Sequence, residues 1–286
     1  MTPHHVVLLR RLLNEEKGVL VPGAPNALTA RIIDDLGFKG LYVTGAGVTN
    51  MFLGLPDLGF VGLSQMAEHV AAIRGITDLP VLVDAETGFG NALNVTHTVR
   101  TLEQAGASAI QIEDQLFPKR CGHFAGKQLI SQDEMVGKLR AALDTRRNDT
   151  LIIARTDARG VEGFESAIAR AERYIETGAD VIFVEALETL SELESVPNRL
   201  KAPQLLNLVL GGKTPTVDAE TASNLGFSLV LYANAALQAA IRGIPQALRE
   251  LRERGTLDER AVASFSERQR LVGKAAFDAL EARYRD

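Results

Sequence analysis

Tryptophan is absent from the 286 residues, and aromatic side chains make up only 5% of them. That argues against a ligand held by aromatic stacking. Long apolar runs are also missing, and none approaches the ~18 residues that would span a bilayer. Net charge is −5, with both signs interspersed and no basic run, which argues against a nucleic-acid or polybasic membrane role. One cysteine excludes an internal disulfide and fits a reducing compartment. The start of the chain has His4-His5, Arg10-Arg11 and Glu15-Glu16 around a short apolar stretch, with no signal-peptide core. The expectation is a soluble, cytoplasmic, enzyme-sized globule with a small-molecule partner and neither nucleic acid nor membrane.

What the sequence does contain is alternation. Short β-rich apolar runs fall near Val19–Pro22, Gly40–Thr44, Val81–Asp84, Ala109–Glu113, Leu151–Arg155, Val181–Glu185, Leu205–Asn207 and Leu229–Tyr232. Between them lie Ala27–Leu36, Ser64–Arg74, Ala92–Ala105, Gln132–Arg146, Phe164–Thr177 and Leu190–Leu200, with apolar residues three and four apart, as helices require. Glycine punctuates the handover from helix to strand at Gly37, Gly106, Gly178 and Gly226. Eight such units at ~35 residues each predict a (β/α)8 barrel. A doubly wound open sheet is the alternative, but no dinucleotide-type glycine fingerprint opens a first βα turn. Gly211-Gly212-Lys213-Thr214 has the wrong spacing for a phosphate loop. The chain reads as one domain over residues 1–286. Residues 236–286 form a helical C-terminal segment for oligomer packing, with helices over Leu237–Glu253 and Ala261–Arg283.

Polar residues collect where these strands end: Tyr42 and Thr44, Asp84 and Glu86, Glu113, Arg155, Glu185 and Asn207. In a barrel the C-terminal strand ends form the active-site face. Carboxylates directed there are costly unless compensated. Either they pair with Arg155 and Lys119 in a structural network, or the oxygen cluster holds a hard divalent ion. The lone Cys121 stands in Lys119-Arg120-Cys121-Gly122-His123, directly after a predicted strand. Two preceding cations favour its thiolate, which suits a group that gives and takes a proton.

That pentapeptide resembles the signature of the isocitrate lyase/phosphoenolpyruvate mutase superfamily. Thr44-Gly45-Ala46-Gly47-Val48, Leu55-Pro56-Asp57-Leu58-Gly59, Asp84-Ala85-Glu86-Thr87-Gly88-Phe89-Gly90 and Ala154-Arg155-Thr156-Asp157-Ala158 resemble further family blocks in family order. Asn207–Pro215 is a partial match. The resemblance implies a barrel whose eighth helix is exchanged between subunits of a homotetramer, a dimer of dimers. It implies Mg2+, with Mn2+ as a substitute: Asp84 as the direct ligand, and Asp57, Glu86 and Glu113 on the metal's waters. Glu86 departs from the usual aspartate. Thr44, Gly45 and Ala46 would hold a substrate carboxylate, with Gly122, Arg155, Glu185 and Asn207 as further substrate contacts. Cys121 would be the acid, with Lys119, His123 and Arg155 assisting and Tyr42 as base or relay. The implied reaction is carbon–carbon cleavage of a 2-hydroxy di- or tricarboxylate of the 2-methylisocitrate or dimethylmalate type, giving a 2-oxoacid such as pyruvate plus a carboxylate.

Two departures keep alternatives open. Leu210 stands where the lyases commonly have an acid, and Tyr232-Ala233-Asn234-Ala235 replaces Tyr-Pro-Leu-Ser. The Ala-Asn pair looks more like the mutase and phosphonopyruvate-hydrolase branches. A phosphoenolpyruvate or carboxyphosphoenolpyruvate mutase and an oxaloacetate decarboxylase or hydrolase therefore stand beside the lyase. A catalytically silent barrel is the non-enzymatic alternative.

Overall fold

The computed structural model describes residues 2–120, 122 and 126–285. Helix α1 (His4–Glu15) leads into β1 (Val19–Pro22), α2 (Ala27–Asp35) and β2 (Leu41–Val43). A short α3 (Gly45–Val48) runs into a π-helical turn (Thr49–Leu53), followed by α4 (Leu63–Arg74) and β3 (Val81–Asp84). Next come α5 (Ala92–Ala105), β4 (Ala109–Glu113), α6 (Gln132–Thr145) and β5 (Leu151–Thr156). Then follow α7 (Phe164–Thr177), β6 (Val181–Val184), α8 (Leu190–Arg199), β7 (Leu205–Asn207), α9 (Ala219–Leu225) and β8 (Leu229–Tyr232). The chain continues through α10 (Ala235–Arg254), α11 (Phe265–Leu271) and α12 (Lys274–Arg283).

Every strand pairing is parallel. β2 to β6 form one ladder in sequence order, and β1, β8 and β7 form another. Parallel bridges Gly23–Tyr42 and Ile182–Gln204 join the two and close the (β/α)8 barrel. Strand side chains alternate between two cores, as the two-residue period requires. Val43, Val83, Ile110, Ile152, Ile182 and Val230 pack outward against the helices. Leu82, Ala109, Leu151, Ile153, Val181, Phe183 and Leu229 point inward and meet Val6, Leu9 and Leu13 of α1. Arg10 bonds the Asp149 carbonyl and Asp180, just before β5 and β6. Helix α1 thus plugs the N-terminal end of the barrel, leaving the opposite end for the site.

The strands lie within a residue of their expected limits. The expected helix over Ala261–Arg283 does not hold as one piece. Ser264 caps α11 by accepting from the Glu267 amide, and Gly273, at φ 72°, separates α11 from α12. A β-carbon is disfavoured in that left-handed conformation, so the chain breaks there. Helices α1 and α3 were not expected, and α9 was expected only as the helix that Gly226 ends, without a first residue.

The eighth barrel helix does not seal its own barrel. Only Leu237 of α10 is buried, while Ile241, Ile244, Leu248 and Leu251 stay exposed at helical spacing. Leu20, on the outer face of β1, is likewise exposed. Among the described residues no helix is long and apolar enough to cross a membrane.

Candidate active site

The inward positions that are apolar low in the barrel turn polar at its C-terminal end. Asp84 follows Leu82, Arg155 follows Ile153, Glu185 follows Phe183 and Asn207 follows Leu205, each two residues later. On β4 both Gln111 and Glu113 follow Ala109 in the same parity. Register sets Asp84 beside Gln111 and Glu113 beside Arg155. Tyr42, Thr44, Ala46, Asp57, Asp84, Lys119, Gly122, Arg155, Glu185 and Asn207 line one cavity with about 40 Å3 of free space.

One side of this cavity is acidic. Asp84 Oδ1 accepts from the Glu86 amide at 3.0 Å and from Gln111 Nε2 at 3.1 Å, and Oδ2 accepts from the Gly45 amide at 3.2 Å. All three donors are neutral. Among the described residues this buried carboxylate has no ion-pair partner. Gly45 is glycine for a steric reason: a β-carbon there would lie 2.2 Å from Glu86 Oε1. Glu86 itself is held at φ 54°, a strained conformation for a residue with a side chain. The Lys119 ammonium bridges Asp57 Oδ1 at 2.5 Å and Glu86 Oε2 at 2.8 Å. Glu113 pairs with Arg155 through Oε2 at 3.4 Å, while its buried Oε1 has no hydrogen-bond partner among the described residues. Burial drives the Glu113 pKa well above the usual carboxylate range. Arg155 opposes that rise, and Asp157, Asp84 and Asp57 add to it.

The other side is built around Arg155. Its guanidinium donates through Nε to Asp157 Oδ2 at 2.9 Å and through Nη2 to Asp157 Oδ1 at 3.2 Å. Nη2 also meets Glu185 Oε2 at 3.1 Å, and the plane lies 5.0 Å from the Phe183 ring centre. Asn207 Nδ2 faces both Glu185 oxygens at 3.3 and 3.4 Å, and its Oδ1 has no partner among the described residues. Burial alone would raise the pKa of Asp157, but Arg155 and Lys127 bring it down to about 2. A second buried network supports this one. The Asp114 carboxylate accepts from Thr156 Oγ1, Tyr174 Oη and the Asp157 amide.

Tyr42 Oη donates to Gln111 Oε1 in a short bond. Burial first, then the nearby Asp84, raises the phenol's pKa well above its ordinary value, although Arg155 works the other way. In this state the Tyr42 hydroxyl is a hydrogen-bond donor at the head of the chain Tyr42–Gln111–Asp84. Thr44 caps α3, its Oγ1 accepting from the Gly47 amide at 3.3 Å. Both expected pairings of acids with Lys119 and Arg155 are present, yet Asp84 takes part in neither. Cys121 and His123 lie outside the described residues.

Gln111, Lys127 and Asp157 escaped the sequence reading. Gln111 had a signal: it is the one polar side chain inside Ala109-Ile110-Gln111-Ile112. Asp157 was quoted within a block but not singled out. Of the two departures, Leu210 is exposed and does not line the cavity, whereas Asn234 does, with a buried Oδ1 that has no partner among the described residues.

Comparison with known proteins places the chain in a family. A sequence model described as phosphoenolpyruvate phosphomutase matches residues 9–252. A 2-methylisocitrate lyase from Aeropyrum pernix is 47% identical over 250 residues, covering 87% of this chain and 80% of that protein. A 2,3-dimethylmalate lyase from Eubacterium barkeri is 40% identical, with 96% of each covered. A crystal structure of a 2,3-dimethylmalate lyase superposes with a TM-score of 0.93 at 34% identity, covering 99% of this chain and 96% of that one. A phosphonopyruvate hydrolase solved with oxalate and Mg2+ superposes at 0.88 and 31% identity, with both chains fully covered.

Proposed function

The chain belongs to the phosphoenolpyruvate phosphomutase family and is an enzyme of its carbon–carbon lyase kind; from that premise we propose that it cleaves a 2-hydroxy di- or tricarboxylate with the help of Mg2+. The substrate class is that of 2-methylisocitrate or 2,3-dimethylmalate, and the products are a 2-oxoacid such as pyruvate and a second carboxylate. The observation that carries this reading is Asp84, a buried carboxylate bonded, among the described residues, to neutral donors alone. A buried negative charge of this kind calls for a cation.

The residues present fit a hydrated Mg2+, which retains several waters and needs few protein ligands. Among the described residues no group of three acidic, imidazole or thiol side chains is placed to hold a metal ion by itself, so the fit rests on Asp84 and its neutral donors. Asp84 would hold it directly, and Asp57, Glu86 and Glu113, with the Oε1 of Glu113, would hold its waters. Bound there, Mg2+ supplies Lewis acidity that favours loss of the substrate's hydroxyl proton. Mn2+ would substitute.

The protein's own residues do the rest. Thr44, Gly45 and Ala46 cradle the carboxylate of the nascent 2-oxoacid. Arg155, with Glu185, Asn207 and Gly122, binds oxygens of the other fragment, its planar fork matching a carboxylate. As the hydroxyl proton leaves, the O–H electrons form a carbonyl and the C2–C3 bond breaks. Its electrons pass into an enediolate-like fragment, to whose carbon Cys121 delivers a proton. Lys119 and His123 tune that thiol, and Tyr42, its hydroxyl fixed by the bond to Gln111, takes the substrate's hydroxyl proton as a relay while its own proton passes to solvent water. A second reading, a phosphonomutase or an oxaloacetate-type decarboxylase or hydrolase, is favoured by Asn234 alone, whose amide lies in the cavity wall.

The exposed stripe on α10 and the uncovered Leu20 support exchange of that helix with a second copy, within a homotetramer built as a dimer of dimers. The single cysteine supports a cytoplasmic location. The metal assignment is tested by stripping the protein with chelator and assaying 2-oxoacid release. Turnover should vanish, return with Mg2+ and stay absent in Asp84→Ala; full activity in excess chelator contradicts it.

A further inference from the structure

Lys127 is a buried lysine that the chemistry above leaves unused, with 9% of its surface exposed. Its ammonium meets Asp157 Oδ1 at 2.8 Å and donates to the Gly122 carbonyl in a short bond. An ammonium withdrawn from water persists only among well-placed acceptors. Both acceptors here belong to the frame of the site.

Asp157 is the two-point partner of Arg155, and its Oδ1 is shared between Arg155 Nη2 and Lys127 Nζ. Gly122 lies against the other side of the same guanidinium. A β-carbon on Gly122 would fall 2.7 Å from Arg155 Nη2 and 2.5 Å from Glu185 Cγ. One cation therefore connects the backbone that covers Arg155 with the carboxylate that orients it. Without that cation, Asp157 Oδ1 would lose its second partner and the Gly122 carbonyl its donor, so both could drift.

We propose that Lys127 is a positioning residue for this reaction, holding the Gly122 peptide and the Arg155 guanidinium in fixed relation. The kinetic consequence rests on the lyase reading; the structural consequence does not.

The test compares the full-length wild type with Lys127→Met, which keeps the aliphatic stem, and Lys127→Arg, which keeps the charge. Amide exchange across residues 115–128 should accelerate about tenfold in Lys127→Met, well beyond any change in β1 to β4, and any fall in the thermal midpoint should be partly recovered in Lys127→Arg. On a substrate the wild type turns over, kcat should fall about 100-fold with KM changed by less than about threefold. Lys127→Arg should restore part of both. Wild-type exchange over residues 115–128 overturns the proposal. So does faster exchange spread over the whole barrel with a lowered midpoint, which would make Lys127 merely structural. A wild type with no lyase turnover refutes the reaction assigned above, while the exchange comparison still decides the role of Lys127.

Discussion

Arg155 and Asp157 stand two residues apart at the end of β5 and join at two points, Nε to Oδ2 at 2.9 Å and Nη2 to Oδ1 at 3.2 Å. Thr156, the last residue of β5, turns outward to Asp114, and the non-extended backbone of Asp157 (φ −96°, ψ 10°) brings its carboxylate back to the guanidinium. The guanidinium's orientation is therefore set from within its own strand end.

Asp157→Asn keeps the shape but removes the charge that fixes Arg155. It should lower kcat/KM about 100-fold, the scale of a misplaced binding group. Steady-state kinetics on the wild-type substrate checks this, and activity within about threefold of wild type contradicts it.

The same residue sets an acid limit. Its folded pKa of about 2 lies below the ordinary 3.8, so its contribution is complete above pH 4 and lost as pH falls toward 2. That contribution is about 2 kcal/mol at neutral pH. Urea unfolding at pH 5 and pH 2.5 should show the gap between wild type and Asp157→Asn shrinking at the lower pH. A constant gap would place the effect elsewhere.

Cys121→Ser should leave folding and ligand binding largely intact while lowering kcat by roughly two to four orders of magnitude, as expected for a lost acid. Near wild-type turnover would make the thiol structural and favour the mutase or hydrolase reading.

Assembly is tested at Ile244, which is 54% exposed in the middle of the α10 stripe. Ile244→Asp should shift a wild-type tetramer toward smaller species in light scattering, with the circular dichroism of the barrel retained. A wild-type monomer contradicts helix exchange outright.

Much of this fold was legible because buried parallel strands read as short apolar runs, and left-handed glycines such as Gly106 and Gly178 mark where helices end. Asp84, Glu113 and Arg155 were legible because a charge at the end of an apolar strand has few structural uses. Helix α1 was hidden because its apolar residues come as pairs, Val6-Val7, Leu8-Leu9 and Leu12-Leu13, and Val6, Leu9 and Leu13 find their partners only inside the closed barrel. Lys127 and Asp157 were missed for a related reason. Their pairing spans 30 residues, and neither shows an unusual local pattern. The split at Gly273 was masked by apolar spacing that continues through the break.

The central claim is carbon–carbon cleavage of a 2-hydroxy acid. Its most direct test is an assay for pyruvate and glyoxylate release over a panel of 2-hydroxy di- and tricarboxylates, run with and without Mg2+. The expected result is stoichiometric release of a 2-oxoacid and a second carboxylate from at least one member, only when Mg2+ is present. No 2-oxoacid from any member, together with phosphonate formation or oxaloacetate breakdown by the same protein, would contradict the lyase assignment.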